Sequence, residues 1–365
     1  MQNREIYEKK RTNCRQCLSD FLGEAGVESM YELISIQEYS RWQRVLDILQ
    51  ISDIYYSSQY FLGALKLDPG EALLFYYKDE DGEVAYPFIK RCISDENTPY
   101  FDVTTPFGYG GPILKAGKNH SKLAANFRKA FVEYCQSEKI IAEYIRFHPL
   151  KENAQFFKDH LKISPLYETF TIKLKDYFSS NKKKQLPNGP AEQDSDLVVK
   201  KLGTVRHMFE FLVLYYSAAR RREEADSYYF FTNDYFETLI SSMGPNLHLF
   251  GAYQENKLVS ACYVLAMGDT IYYHLEGSLS EMESEKTLRT LLLKIAEWGE
   301  ENYYAFFHLG GDFQGEATKD KQIKRGIANC EPAVFSIGQQ IHDLQAYHNT
   351  GSFDAKDIIR RYRNI

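Results

Sequence analysis

The chain contains no run of eighteen apolar residues and no apolar core near its N-terminus, so the sequence predicts neither a helical membrane span nor a secretory leader and points to a cytoplasmic protein. Neither sign of charge predominates, with 44 Lys and Arg against 50 Asp and Glu. A net charge of -6 gives no global field that would draw the chain onto nucleic acid or an anionic membrane, so a polyanion would need a local patch. There are six cysteines, and of these only Cys14 and Cys17 stand close together. No second pair completes a zinc site, and the scatter suits a reducing compartment. The H-E-x-x-H metal helix, the G-x-x-x-x-G-K-[ST] phosphate loop and the G-x-S-x-G nucleophile elbow are all absent, and neither Cys262 nor Cys330 has a histidine beside it. A resident metal, a Walker-type nucleotide site and a covalent enzyme intermediate are therefore not expected.

What is abundant is aromatic: 28 Tyr and 24 Phe in 365 residues, which suits strand-rich cores and sites that stack on rings or sugars. Two near-copies of one phrase stand out, Tyr272-Tyr273-His274-Leu275-Glu276-Gly277 and Phe306-Phe307-His308-Leu309-Gly310-Gly311. Each reads as a strand ending at glycine. Between them Leu288, Leu291, Leu292, Ile295 and Trp298 recur at helical spacing, so the whole is a strand–helix–strand unit with parallel strands. Ligands bind such units beyond the carboxyl ends of the strands. Simple alternation places Tyr272, His274 and Glu276 on one face, and Phe306, His308 and Gly310 on the matching face of the partner. Two imidazoles and a carboxylate then meet at one opening; otherwise both histidines are half-buried sheet residues bonded to backbone.

In chain order, residues 1–30 form a charged extension and Ser35 to Leu49 a helix. Glu71 to Cys92 reads as a hairpin turning at Asp79-Glu80-Asp81-Gly82. A strand from Tyr100 enters the loop Thr105-Pro106-Phe107-Gly108-Tyr109-Gly110-Gly111-Pro112, followed by Lys115, Lys118 and a helix over Ser121 to Ser137. Glycines, two lysines and a helix start make either an anion site or a tight structural turn. Ile140 to Phe147 is a strand ending at His148-Pro149, and Tyr167 to Leu174 closes the first domain. Residues 179–195, with Lys182 to Lys184, read as a polar linker. The second half repeats the order: strand Asp196 to Leu202, helices Val205 to Ala219 and Asn233 to Met243, a hairpin over Leu247 to Met267, then the strand–helix–strand unit. The expected domains are 31–178 and 196–348, with a C-terminal tail at 349–365 and a ligand cleft between the halves.

Hairpin, third strand, fourth strand, helix and fifth strand is the order of the GNAT acyltransferase fold, and two such halves in one chain resemble the Fem-type aminoacyltransferases. The resemblance spans about Ile51 to His342 and rests on three motifs. They are the Thr105 to Pro112 loop, the segment from Leu214-Tyr215 through Arg222, Ala225, Tyr228, Tyr229 and Phe230, and the strand end His308 to Gly311. The resemblance implies an α/β (α+β) fold of two tandem GNAT-like domains, each a mixed twisted sheet flanked by helices. It further implies transfer of an acyl or aminoacyl group from acyl-CoA or aminoacyl-tRNA to an amine of a cell-wall or surface-polysaccharide precursor. The acceptor would be a nucleotide- or lipid-linked sugar or muropeptide, with no tightly bound cofactor and tRNA contacting a local basic patch.

Direct attack by the amine asks only for positioning, a proton acceptor and donors to an oxyanion. His274, Glu276, His308 and Asp312 are the base candidates. Phe107, Gly108, Tyr109, Gly110, Gly111, Lys115, Lys118, Arg222 and Tyr229 are the acceptor-binding candidates. Tyr272, Gly310, Gly311, Lys321, Lys324 and Arg325 are the donor-binding candidates. Two departures bear on the donor. Where GNAT enzymes have a glycine-containing pyrophosphate loop, this chain has Ser278-Leu279-Ser280-Glu281-Met282-Glu283-Ser284-Glu285, which disfavours coenzyme A in the usual manner. The family's aromatic stretch after His-Leu-Gly-Gly is replaced by the basic run Lys319 to Gly326. An acetyl-coenzyme A-dependent amino-sugar N-acetyltransferase and a non-catalytic scaffold binding a sugar nucleotide or partner are the competing readings.

Overall fold

The computed structural model describes residues 30–93, 99–183, 197–203, 205–221, 230–279, 285–311 and 318–349. Of the expected extension (1–30), linker (179–195) and tail (349–365), residues 1–29, 184–195 and 350–365 lie outside them, and residues 179–183 of the expected linker are helical instead. In chain order the first half comprises β1 (Met30–Ser35), α1 (Tyr39–Leu49), α2 (Ser58–Ala64), β2 (Glu71–Asp79), β3 (Gly82–Cys92), β4 (Phe101–Thr104), β5 (Ile113–Ala116), α3 (His120–Ser137), β6 (Ile140–Arg146), β7 (Lys162–Lys173) and α4 (Leu174–Lys183). The second half comprises β8 (Leu197–Leu202), α5 (Val205–Arg221), α6 (Asn233–Met243), β9 (Leu247–Gln254), β10 (Lys257–Met267), β11 (Thr270–Ser278), α7 (Glu285–Glu301), β12 (Phe306–Gly311), α8 (Lys319–Ile327), β13 (Ala333–Ile341) and α9 (Leu344–Asn349). None of the described helices is long and apolar enough to cross a membrane.

The expected hairpins and the strand–helix–strand unit all form. The aromatic alternation of Leu73-Leu74-Phe75 sends Phe75 to one face of β2 and Leu74 to the other, and both are fully buried. The strands join into one 13-stranded sheet in the order β1-β2-β3-β4-β6-β13-β7-β12-β11-β10-β9-β8, with β5 on β3. One apolar cluster lies on the face shared by α1, α2, α5 and α6 and draws residues from both halves. On the opposite face α3 covers the first half, while α7 and α8 cover the second.

The halves are joined by an exchange of strands, which overturns one expectation. The strand expected to close the first domain pairs instead, through Thr169 to Lys173, with β12 of the second half. Reciprocally β13, the last of the described strands, pairs through Ile337 to Ile341 with β6 of the first half. The two exchanged strands then pair with each other, from Ala333–Thr169 to Gln339–Lys162. Each half's edge is thus covered by the other's strand, which leaves neither β6 nor β12 open to another chain.

Gly277 and Gly108 mark close approaches. A Cβ on Gly277 would lie 2.3 Å from the Tyr215 nitrogen, so the backbone of α5 crosses directly over the end of β11. Gly108 has φ +101°, a conformation that costs side chains strain, and a Cβ there would stand 2.3 Å from the Tyr55 ring.

Candidate active site

Strands β11 and β12 pair in parallel over three rungs only, Thr270–Phe306, Ile271–Phe307 and Tyr272–His308. Beyond them β11 stays on β10 as far as Ser278, while β12 turns with β7 as far as Gly311. The strands therefore splay, and Tyr272 and His308, each 1% exposed, form the floor of the opening with ring centroids 5.8 Å apart.

His308 is held at both nitrogens: Nδ1 lies 3.0 Å from the Thr171 hydroxyl and Nε2 lies 3.1 Å from the Tyr109 hydroxyl. Burial pushes its imidazole down to about 3; the charges of His148 and Lys324 push the same way, against Asp53. It is neutral at pH 7, donating through one nitrogen and accepting through the other. Tyr109 comes from the first-half loop, which is fixed to its own half. Tyr60 donates its hydroxyl to the Phe107 carbonyl at 2.6 Å, and Asn153 Nδ2 donates to the carbonyls of Gly110 and Pro112 at 2.9 and 3.1 Å. The His148 backbone N–H donates to the Gly110 carbonyl at 3.1 Å. In the first half the corresponding parallel pair, β4 and β6, does not open in this way. Past its last rung the Arg146 N–H donates to Thr105 Oγ1 at 2.9 Å, and a parallel bridge links Gly110 to Phe147.

A cluster that the sequence reading did not single out lies under the floor. Tyr272 donates its hydroxyl to Asp53 Oδ2 at 2.6 Å, His148 Nε2 lies 3.2 Å from the same oxygen, and Lys151 Nζ lies 3.8 Å away. Burial pushes the Asp53 carboxyl up, but His148, Lys151 and the Tyr272 hydroxyl outweigh it and hold the group well below the usual carboxylate range. The only local signal for Asp53 is its place before Ile54-Tyr55-Tyr56, whose single turn it caps by accepting the Tyr55 N–H. His148 was legible only as the end of a strand before proline.

The other expected residues fall in several places. A bulge at His274 of β11, opposite the step from Tyr263 to Val264 of β10, leaves His274 without a partner on β10, so the alternation slips by one. Glu276 then sits opposite Cys262, beside Tyr273 and on the α7 side, while Tyr272 faces the core shared with the first half. Of the face expected to carry Tyr272, His274 and Glu276, the first two remain on the side of the shared core and Glu276 leaves it. His274 Nε2 instead meets the Tyr235 hydroxyl at 3.2 Å, and its ring lies edge-on to Tyr60 and Phe107; burial pushes it down to about 3.

Lys115 and Lys118 lie away from the floor, at the β2–β3 turn. Lys115 Nζ donates to the Ile48 carbonyl at 2.7 Å, and the Lys118 N–H points at the Asp81 carbonyl. The helix start that follows is capped by the Asn119 side chain. On α8, Lys321 and Arg325 reach Glu168 at 3.7 and 2.6 Å. Lys324, 7% exposed, turns inward, with Nζ 3.5 Å from the Gly311 carbonyl and 5.2 Å from the Tyr273 ring centroid. Gly310, at φ +69°, stands beside the Tyr109 hydroxyl. Asp312, Arg222 and Tyr229 lie outside the described residues. Among the described residues no group of three or more His, Cys, Asp or Glu could hold a metal ion.

Residues 191–321 match the family model described as an acetyltransferase (GNAT) domain. The match falls within the second half of the chain. Among solved structures the chain is similar to FemX, at 12% identity and a TM-score of 0.58, over 88% of this chain and 99% of that one. It is also similar to a tandem GNAT protein from the clavulanic acid biosynthesis pathway, at 10% identity and a TM-score of 0.53, over 87% of this chain and 99% of that one. No curated protein matches the sequence. The two halves are thus tandem GNAT-like folds in a mixed α/β chain, and the splay of β11 and β12 falls within the matched domain.

Proposed function

We infer that the protein transfers an acyl or aminoacyl group from an activated carrier to an amine, using the opening between β11 and β12. The observation that carries this is the end of parallel pairing at Tyr272 and His308 while both strands run on. A planar ester or thioester can lie along the separated edges, with the acceptor amine presented from the Thr105 to Pro112 loop of the first half. The amine nitrogen attacks the acyl carbon, the new C–N bond forms, and the carrier's C–O or C–S bond breaks. The nitrogen's proton ends on the departing oxygen or sulfur.

A histidine pushed down to about 3 does not store that proton at neutral pH. Its part is to hold and polarise the Tyr109 hydroxyl, through which the proton moves. The oxyanion is assigned to backbone N–H groups at the His274 bulge, where one residue lacks a ladder partner. Lys324, buried at the mouth of β12, is assigned to an anionic group of the donor. Cell-wall or surface-polysaccharide precursors remain the acceptor class favoured by the Fem-like architecture, and aminoacyl-tRNA the donor favoured by the acidic sequence from Glu281 to Glu285. The match to an acetyltransferase model favours the second reading, an acetyl-coenzyme A-dependent amino-sugar N-acetyltransferase.

Incubation with acetyl-coenzyme A, and separately with a mixture of aminoacyl-tRNAs, each with a UDP-linked muropeptide and with glucosamine, decides between them by product mass. His308→Gln should slow the productive pair by about 10²-fold. Tight binding of the sugar nucleotide without any product would instead identify a non-catalytic scaffold.

A further inference from the structure

Asp53 is 2% exposed, and a carboxylate is costly to bury unless it is paired and hydrogen-bonded. Its partners come from both halves. Oδ1 accepts the Tyr55 N–H at 3.1 Å, while Oδ2 accepts the hydroxyl of Tyr272, which is 219 positions away in the chain. His148 Nε2 lies 3.2 Å from both that oxygen and the Tyr272 hydroxyl, and its Nδ1 is buried with no hydrogen-bond partner. Facing Asp53 thus leaves one nitrogen of the imidazole unsatisfied, an arrangement that core packing alone does not favour.

From Asp53 two short paths reach the floor of the opening. One is direct, through Tyr272, which stands on the last parallel rung opposite His308. The other runs through Tyr55, whose ring meets both Tyr109 and Tyr272 edge-on at 5.1 and 5.0 Å, and Tyr109 in turn holds His308 Nε2.

We propose that Asp53 is a positioning residue for the transfer reaction: a first-half carboxylate that fixes Tyr272 and Tyr109 around His308, so that the reacting floor is complete only when the two halves are docked. This rests on the acyl-transfer reading. His148 completes the clamp from the end of β6 and also holds the Gly110 carbonyl next to Tyr109. Misplacing a reacting group by about 1 Å can cost about 10²-fold in rate, and the clamp works on that scale.

The test uses the full chain with acetyl-coenzyme A and with the aminoacyl-tRNA mixture, and the two acceptor amines named above. Tyr272→Phe keeps the ring and removes the bond to Asp53; Asp53→Asn keeps the shape and removes the charge. Both should lower kcat by about 10²-fold with the donor KM little changed and a cooperative melt retained. A folded Tyr272→Phe with wild-type kcat, a loss confined to KM, or failure of both variants to fold would each assign the cluster to architecture and overturn the proposal. Absence of product from the wild-type protein with every pair overturns the acyl-transfer reading itself, and this is judged without any variant.

Discussion

Replacing Arg128 tests how the exchanged strands are held. Its guanidinium makes two bonds to Glu143, at 3.0 and 2.7 Å, and a third to the Gln340 side chain of β13; Arg128 is 3% exposed and Glu143 is fully buried. Arg128→Met leaves a carboxylate with no access to water and removes the side-chain bond to Gln340 that supplements the backbone pairing of β13 with β6. Breaking a buried pair from one side costs about 3–5 kcal/mol, a large part of a typical total of about 5–15 kcal/mol. The double variant Arg128→Met/Glu143→Leu removes both charges. It should recover most of that loss, short of about 1–3 kcal/mol for the Gln340 amide left without its partner. Urea unfolding followed by tryptophan fluorescence and by circular dichroism measures each midpoint, and the two probes should agree. A single variant within 1 kcal/mol of wild type, or a double variant as unstable as the sum of the singles, would refute the claim that the cost is that of a stranded charge.

Three further outcomes follow from the same contacts. His308 is pushed down to about 3 in the folded chain, so below the ordinary value of about 6.5 the unfolded chain takes up a proton that the folded chain does not. Stability should therefore fall as pH drops from about 6.5 toward 3, by up to about 1.4 kcal/mol per pH unit from this one group, and a His308→Gln variant should show a shallower slope in acid unfolding. Gly277→Ala puts a methyl 2.3 Å from the Tyr215 nitrogen and should cost about 1–3 kcal/mol or more by overpacking; an unchanged melting midpoint would deny the close crossing of α5. Lys324→Met should weaken binding of the productive donor by about ten- to a hundred-fold, as expected for a charge-assisted bond of about 1.5–3 kcal/mol, and unchanged affinity by calorimetry would remove Lys324 from the donor site.

The sequence alone determined the local elements, because their causes are local. Alternating aromatics, helical spacing from Leu288 to Trp298 and glycines at approach points specify strand, helix and stop without reference to the rest of the chain. It also marked Tyr109, Tyr272 and His308 through recurring motifs. Three things lay beyond it. The bulge at His274 put Glu276 on the opposite face from Tyr272, since one extra residue in a ladder reverses the parity of everything after it, and the partner strand decides where that residue goes. The exchange of β7 and β13 depends on which edge each strand meets when the halves dock; an apolar strand specifies that it will be covered, not by what. Asp53 and His148 carry ordinary local sequence and acquire a role only through Tyr272, brought to them by the fold, because a buried carboxylate is tolerated only where distant groups converge to satisfy it.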